Sequence, residues 1–176
     1  RTSSSAASDV YKRQLLMLQH RGQDAAGMVV CEPSGKLNSR KSKGYVRDVF
    51  QQNHMNNLQG NLGIGHVRYP TAGGIGKEFA QPMYVNTPYG ISLAHNGNLT
   101  NSKKLAAELF HAERRHINTD SDSEVLLNIF ALELSKQEAV FPKPKDFFSA
   151  VEKTHLRING AYAVSYTHLT LPTMMS

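Results

Sequence analysis

The sequence predicts a mixed, layered α+β domain in which strands and helices follow one another without a regular repeat. Three observations support this prediction. Short runs rich in β-branched residues are bounded by Gly, Pro and Asn, as strands commonly are. Two longer segments, residues 121–134 and 144–158, carry apolar residues at helical spacing. The order of these elements is too irregular for a parallel barrel, in which strands and helices alternate strictly.

The composition is that of one globular domain and disfavours several other classes of protein. The chain has 176 residues, of which 40% are hydrophobic and 19% charged, and no apolar run approaches the ~20 residues that cross a bilayer. A single cysteine cannot form an internal disulfide and no secretory leader opens the chain, so we expect a cytoplasmic protein. The net charge of +6 comes from scattered basic residues, which favours a solvated surface over nucleic-acid or membrane binding.

The two ends of the chain differ in pattern from its middle. Residues 1–14 form a Ser/Ala-rich stretch without an apolar period, and residues 165–176 follow a strand-like segment with no matching register. Both resemble translated cloning or sequencing adaptor. We therefore expect a foreign leader over 1–14, a partial natural domain over 15–164 and a foreign tail over 165–176.

The first half of the domain is predicted to hold three strands. Residues 15–18 have the character of the last turns of a helix. Residues 27–32 and 37–44 are predicted to be strands because β-branched residues flank a Pro/Gly turn. Residues 46–58 have the apolar spacing of a short helix, and residues 61–67 form a glycine-rich strand.

A loop and a further strand occupy the centre of the chain. Residues 68–76 contain one proline and three glycines, which rules out regular structure, and catalytic residues often lie on such loops. Residues 89–95 are strand-like and are predicted to end at Asn96-Gly97, a pair that tolerates the positive φ of a tight turn. A helix should follow over 100–110.

The last third of the domain is predicted to be two helices and a strand. Ser121 and Glu124 match the capping-box pattern at the start of the helix over 121–134. Residues 144–158 form the next helix, and residues 160–164 form the last strand.

Four motifs, in this order, carry a family resemblance: QHRGQDAAG at 19–27, GHVRYPTAG at 65–73, HNGNLTN at 95–101 and TDSDSE at 119–124. Together they resemble the glutaminase domain of amidophosphoribosyltransferases, which are class II glutamine amidotransferases, over nearly all of residues 15–164. The resemblance implies the N-terminal-nucleophile hydrolase fold, an αββα sandwich of two antiparallel sheets between helical layers. The N-terminal strand of that fold is expected to be missing.

The resemblance also implies the reaction and its partners. Glutamine is hydrolysed to glutamate, and the ammonia passes to a phosphoribosyltransferase domain, where it displaces pyrophosphate from phosphoribosyl pyrophosphate in the first committed step of purine synthesis. We expect no cofactor in this chain, because that second domain and its magnesium would lie in a part of the enzyme that the chain lacks. The full-length enzyme is expected to be a homo-oligomer.

The motifs assign four principal site residues. Glutamine carries an α-carboxylate and an α-ammonium, so its pocket needs a fixed cation and a fixed anion, and the match gives these roles to Arg68 and Asp122. The Asn96 side chain and the Gly97 N–H match the oxyanion hole. Taken without the family, the sequence favours a simple structural role for each: a helix cap for Asp122, half of a surface ion pair for Arg68, and a hairpin turn for Asn96-Gly97.

Three further residues are expected to line the pocket. Arg21 would line or brace the site, although a cation at a helix end is an equal alternative. Tyr69 and Thr71 flank Arg68 and would shape the pocket or the ammonia exit, the alternative being simple packing of the loop. The eight histidines have no metal-binding spacing, so no metal site is predicted.

The nucleophile of this family is missing from the sequence. These enzymes use an N-terminal cysteine whose own α-amine takes the thiol proton. This chain starts with Arg1, and its one cysteine, Cys31, lies in a predicted strand. We therefore expect the chain as written not to hydrolyse glutamine.

Two other functions stay open at this stage. Another class II amidotransferase, such as the one that makes glucosamine phosphate, usually has Arg-Trp-Ala-Thr-His-Gly where this chain has RYPTAG at 68–73, so the purine enzyme fits better. The second alternative is a non-catalytic module that binds glutamine without reacting with it.

Overall fold

A computed structural model describes residues 5–69, 76–137 and 142–168, with side chains described over 8–69, 76–137 and 142–165. The described helices and strands are, in chain order, α1 (Ser5–Leu18), β1 (Ala25–Cys31), β2 (Leu37–Lys43), α2 (Val46–Val49), α3 (Gln52–Met55), β3 (Leu62–Arg68), β4 (Met83–Val85), β5 (Ile91–Leu99), α4 (Ser102–His111), α5 (Asp122–Ser135), α6 (Pro144–Arg157) and β6 (Gly160–His168). Short 3-10 turns follow α1, at Gln19–Arg21, and precede β4, at Lys77–Phe79. None of the described helices is both long and apolar enough to span a membrane.

The described strands form two antiparallel sheets of three strands each. The first has the order β2-β1-β3 and the second the order β4-β5-β6. They meet where Lys41 Nζ donates to the Pro82 carbonyl at 3.1 Å. Gly27 lies at this junction, and a Cβ built there would be only 1.9 Å from the Gln81 carbonyl oxygen. A side chain on β1 at this position would therefore push the two sheets apart.

Each sheet packs its outer face against helices of its own. One buried cluster joins β1 to α1, α2 and α3, with Met28, Phe50 and Leu58 almost fully buried. The other joins β4 and β5 to α4, α5 and α6, with Leu127 and Ile129 of α5 at its centre. Burial of aliphatic side chains contributes about 1.5–3 kcal/mol each, so these two layers hold the sandwich together. The αββα fold class predicted from the family resemblance is confirmed.

Two predicted elements differ in the first half of the chain. α1 is continuous from Ser5, although residues 1–14 have no apolar period and no helix was predicted there, because Ala, Lys, Arg and Gln are good helix formers and Tyr11 packs against the first buried cluster. The Tyr11 hydroxyl also accepts a hydrogen bond from the Gly63 N–H at 3.1 Å. That residues 1–14 are foreign stays a prediction. The helix predicted over 46–58 is wrong as a single element, since buried Phe50 leaves the helical region at φ −110°, ψ 69° and divides it into α2 and α3.

Two differences also concern the second sheet. The prediction that a strand ends at Asn96-Gly97 is wrong, because β5 runs through both residues to Leu99. They pair with Ala163 and Tyr162 of β6, and this long-range pairing outweighs the local turn preference. β6 also continues beyond residue 164 to His168, although the side chains of its last three residues lie outside the described set.

Candidate functional site

A large open cavity lies where the end of β3, the second half of β5 and the start of α5 come together. Its volume is about 870 Å³, within the ~300–1,000 Å³ usual for small-molecule sites. It is lined by six of the predicted site residues, namely Arg21, Arg68, Tyr69, Asn96, Gly97 and Asp122. Thr71 lies outside the described residues. The structure therefore brings the described candidates together, while their individual roles stay predictions.

Arg68 lies at the end of β3 and is 6% exposed. Its guanidinium forms an ion pair with Asp24, and the two side chains are 7% and 9% exposed. The Phe79 ring covers the guanidinium, with 5.6 Å between the Arg68 Cζ and the ring centroid. The ion pair considered in the sequence analysis as the alternative role of Arg68 is thus present, but it is buried and not on the surface. Such a pair fixes the plane of the guanidinium at the cavity wall.

Asp122 is the first residue of α5, but it is not the cap of that helix. The N-cap is Ser121, whose hydroxyl accepts from the Ser123 N–H at 3.3 Å. The Asp122 carboxylate instead accepts a 3.0 Å hydrogen bond from the Leu99 N–H of β5. Its side chain is 22% exposed, and the α5 dipole stabilises negative charge at this end of the helix. The carboxylate of Asp122 therefore lies at the cavity and is not needed to cap α5.

The predicted capping box of α5 does not form. The Ser121 hydroxyl accepts from the Ser123 N–H instead of the Glu124 N–H, and the Glu124 carboxylate turns away from the N-cap residue and accepts from the backbone N–H groups of Asn118 and Thr119 at 2.9 and 2.8 Å. These bonds tie the preceding loop, which forms one wall of the cavity, to the first turn of α5.

The edge of β5 is exposed beside the cavity because β4 ends before it reaches this point. The Thr100 N–H, just after β5, donates to the Asn159 carbonyl, just before β6. Along a strand of an antiparallel sheet, the N–H groups of successive residues point alternately to the neighbour on one side and to the other side. Counting back from Thr100, the N–H groups of His95, Gly97 and Leu99 therefore point away from β6. The N–H of His95 is taken by Gln81 Oε1 at 2.6 Å and that of Leu99 by Asp122. Between them, the Gly97 N–H is directed toward the cavity side of β5.

Gly97 is held in a conformation and a space that suit only glycine. Its φ is +153°, and a Cβ built there would be 2.3 Å from the Ala161 carbonyl oxygen and 2.7 Å from the Tyr162 Cα. The backbone of β6 thus approaches β5 closely at this residue, and the absence of a side chain also leaves the N–H accessible to a ligand.

A buried polar cluster at the cavity wall supports β5. Gln81 replaces the missing strand neighbour, since its amide also donates to the His95 carbonyl at 3.0 Å and to the Ser123 hydroxyl at 3.1 Å. The His95 Nδ1 lies 3.0 Å from the same hydroxyl and 3.7 Å from Asp122 Oδ1. Burial lowers the pKa of His95 below its ordinary value, although nearby Asp122 opposes this. The ring is therefore neutral at pH 7.

His66 links the two sheets at the cavity. It lies in β3, is 7% exposed, and its Nε2 is 2.8 Å from the Asn96 Oδ1 of β5. Burial lowers the pKa of His66; the hydrogen bond with Asn96 opposes this shift, and the charges of His95 and Arg68 add to it. This imidazole is also neutral at pH 7.

Sequence reasoning missed Asp24, His66, Gln81 and Ser123. Asp24, His66 and Ser123 lie inside the family motifs, and that position was the available signal. Nothing in a single sequence shows that Asp24 meets a residue 44 positions away. Cys31 is the only cysteine, is 2% exposed in β1 and does not line the cavity. Burial, with a smaller contribution from Glu32, raises the pKa of its thiol.

The charge at the cavity is mixed in sign. The lining includes the cations Arg21, Arg68 and Lys103 and the anions Asp120 and Asp122. A zwitterion finds both signs that it needs on such walls. Within the described part of the chain, no group of three or more His, Cys, Asp or Glu side chains is arranged to hold a metal ion.

Two facing antiparallel sheets between helical layers, with a polar cavity at the strand ends, define the fold class of N-terminal-nucleophile hydrolases. The sequence profile described as "Glutamine amidotransferase domain" matches residues 47–139, more than half of the chain. The chain therefore belongs to the family of glutamine amidotransferase domains, and the resemblance found from the four motifs is confirmed.

Within this family the chain is similar to several amidophosphoribosyltransferases. The chain is 59% identical over 150 residues to that of Pseudomonas aeruginosa, covering 85% of this chain and 30% of the relative. It is 51% identical over 148 residues to that of Saccharomyces cerevisiae, covering 84% and 29%. A solved structure described as the allosteric regulatory enzyme of purine biosynthesis has a TM-score of 0.76 at 32% identity, covering 91% of this chain and 32% of that one. The chain thus spans about 30% of the length of its curated relatives.

Proposed function

We propose that this chain is the glutamine-binding part of an amidophosphoribosyltransferase, and that the cavity holds the glutamine whose amide nitrogen becomes ammonia. Relatives carrying that name support the assignment to the purine enzyme over other class II amidotransferases. The whole enzyme would transfer the ammonia to phosphoribosyl pyrophosphate through a magnesium-dependent domain outside these 176 residues, and would act as a cytoplasmic homo-oligomer.

The observation that carries the proposal is the placement of hydrogen-bond donors along the open edge of β5. Asn96 lines the cavity with its amide, and the neighbouring Gly97 N–H faces the same side of the strand. Attack on an amide carbon produces a tetrahedral oxyanion, which two converging donors would stabilise by roughly 3 kcal/mol each. A hairpin turn, the alternative for this pair, does not account for a position inside a strand.

The two charged ends of glutamine fit the neighbouring walls. Asp122 lies next to β5 and would bind the α-ammonium, while Arg68, with Arg21 nearby, would bind the α-carboxylate. Because Arg68 and Asp122 are both held by other groups of the protein, little conformational entropy is lost when the ligand binds. The pocket would therefore recognise a free amino acid rather than a glutamine residue within a peptide chain, which has no such charges.

The first experiment measures ligand binding to the 176-residue chain by calorimetry. We expect glutamine to bind, and norvaline, which lacks the amide, and 4-carbamoylbutyrate, which lacks the α-ammonium, to bind more weakly. Asp122→Asn should weaken glutamine binding by about 10- to 100-fold, since it removes a charged hydrogen-bond partner. The same substitution should leave the affinity for 4-carbamoylbutyrate unchanged. Glu152→Gln, on the exposed surface of α6, is the control.

Two results would contradict this proposal. One is the absence of glutamine binding to the folded chain, and the other is an equal effect of Asp122→Asn on glutamine and on 4-carbamoylbutyrate.

A second candidate function, binding without hydrolysis, is favoured by the position of the only thiol. Cys31 is buried in β1 and lies outside the cavity, so no cysteine of this chain can reach the amide of a bound glutamine. We expect no release of glutamate from glutamine by the 176-residue chain in a coupled glutamate dehydrogenase assay. Release that disappears in Asn96→Ala would show that the expectation is wrong.

A further inference from the structure

The contact between His66 and Asn96 is a polar bridge between the two sheets at the wall of the cavity. One ring nitrogen, Nε2, is 2.8 Å from Asn96 Oδ1. The other, Nδ1, is buried and has no hydrogen-bond partner among the described residues. Asn96 itself is exposed to the cavity. A buried ring therefore holds one end of an accessible amide.

The chemistry of the ring decides which nitrogen carries the proton. His95 and Arg68 are the titratable or charged groups beside His66, and together with burial they disfavour a second proton on the imidazole. A neutral ring has one N–H. On Nδ1 that N–H would be a buried donor without an acceptor, which folded proteins rarely contain. On Nε2 it donates to Asn96 Oδ1, so the Nε2–H tautomer is the one that satisfies both residues.

The tautomer in turn decides how the Asn96 amide is oriented. An amide group is planar and has its acceptor oxygen and its donor NH2 on different sides. With Oδ1 held by His66, the NH2 group is the end left for the cavity. In the reverse orientation, Asn96 would aim an oxygen at the position where negative charge develops during amide attack, and that contact would be repulsive.

We propose that His66 is a positioning residue: its Nε2–H fixes the Asn96 amide so that the NH2 group, beside the Gly97 N–H, faces the cavity. The catalytic meaning of this inference rests on the proposed function, but the tautomer and the amide orientation do not. His66 does not itself contact a reacting atom; it acts through Asn96.

The first test is spectroscopic and needs no ligand. Long-range ¹H–¹⁵N correlation spectra of the labelled chain report which ring nitrogen of each histidine is protonated, and the His66 signals are assigned by their loss in His66→Gln. We expect a protonated Nε2 and a bare Nδ1 at pH 7. A protonated Nδ1, or a doubly protonated ring at pH 7, would overturn the inference even if glutamine binds.

The second test is a double-mutant cycle on ligand affinity. His66→Phe should weaken glutamine binding by about 10-fold, which corresponds to the loss of one well-oriented hydrogen bond, and should leave norvaline binding unchanged. In an Asn96→Ala background the same substitution should change glutamine affinity by less than about 2-fold. His66→Gln keeps a donor of similar reach and should recover most of the affinity. The amide spectrum of each variant reports whether it is folded.

The outcomes separate the possible failures. An equal loss of glutamine and norvaline binding in His66→Phe, or an equal loss with and without Asn96, would show that His66 only supports the fold and would overturn the positioning role. If the unmodified chain does not bind glutamine, the proposed function fails, and the spectroscopic result alone decides whether His66 orients Asn96.

Discussion

Replacing Asp24 with asparagine should destabilise the domain strongly, although Asp24 was not predicted as a site residue. Asp24 pairs with Arg68 at the end of β3, and the exposed fractions of the two side chains are 9% and 7%. The Asp24→Asn substitution would keep the size of the side chain and remove its charge. The guanidinium of Arg68, which is only 6% exposed, would then be a largely buried cation that has lost its carboxylate partner.

The size of the effect follows from the burial of the pair. Removing one partner of a buried ion pair costs about 3–5 kcal/mol, whereas an exposed pair contributes about 0–1 kcal/mol. For a domain of this size, 1 kcal/mol corresponds to roughly 2–4 °C in Tm. Asp24→Asn should therefore lower Tm by about 6–20 °C. The orientation of Arg68 should also be lost, so glutamine should bind more weakly at a temperature where the variant is still folded.

The assay is thermal and urea unfolding followed by circular dichroism, with Lys104→Gln as the matched control. Lys104 and Glu108 are 3.9 Å apart, but their side chains are 79% and 42% exposed, so the control should change stability by less than about 0.5 kcal/mol. A loss below about 1 kcal/mol for Asp24→Asn, or equal losses for the two variants, would refute the reasoning from burial.

Three more predictions concern backbone space and pH. Gly97→Ala should lower the free energy of unfolding in urea by about 1–3 kcal/mol more than Gly44→Ala does, because both glycines have positive φ but only a side chain at Gly97 would clash with a neighbouring strand. Equal losses of stability would contradict this. Burial opposes ionisation of Glu133, but hydrogen bonds from Lys136 and Arg157 outweigh burial and lower the pKa of Glu133. The wild-type chain should therefore be more stable than Glu133→Gln above about pH 4.5, and the difference should shrink as the pH falls below that value. A constant difference in the free energy of unfolding between about pH 6 and pH 3 would refute this. Burial lowers the pKa of both His66 and His95, so the unfolded chain takes up protons more readily than the folded chain as the pH falls. Stability should therefore be greatest above about pH 6.5 and decrease below it, and the decrease should be less steep in His66→Gln. Urea unfolding of both proteins across this pH range checks the last prediction, and identical slopes would contradict it.

Much of the local structure could be predicted because it depends on residues close together in the chain. The helix α5 begins where Ser121 and the following apolar residues predict it, and α6 begins at Pro144 as expected. β1 and β2 lie within two residues of their predicted bounds, because a Pro/Gly turn separates two runs of strand formers. Hydrophobic period, capping and turn chemistry act over only a few residues, so one sequence is sufficient to read them.

The candidate site was predicted by its motifs, but its architecture was decided by contacts between distant residues. The four motifs named Arg68, Asp122, Asn96 and Gly97, and the tertiary structure placed all four on one cavity. Their individual roles in binding and hydrolysis stay predictions. The family resemblance, rather than any local pattern, brought them together as a set, since each residue alone had another explanation.

What the sequence determined by itself was the family, the fold class and the identity of the candidate residues. Only the tertiary structure decided that Asn96-Gly97 lies inside a strand and that His66 holds Asn96 across 30 positions of the chain. The physical reason is the range of the forces. Strand pairing and burial join segments that are far apart in sequence, and their combined free energy exceeds the local preference of an Asn-Gly pair for a turn.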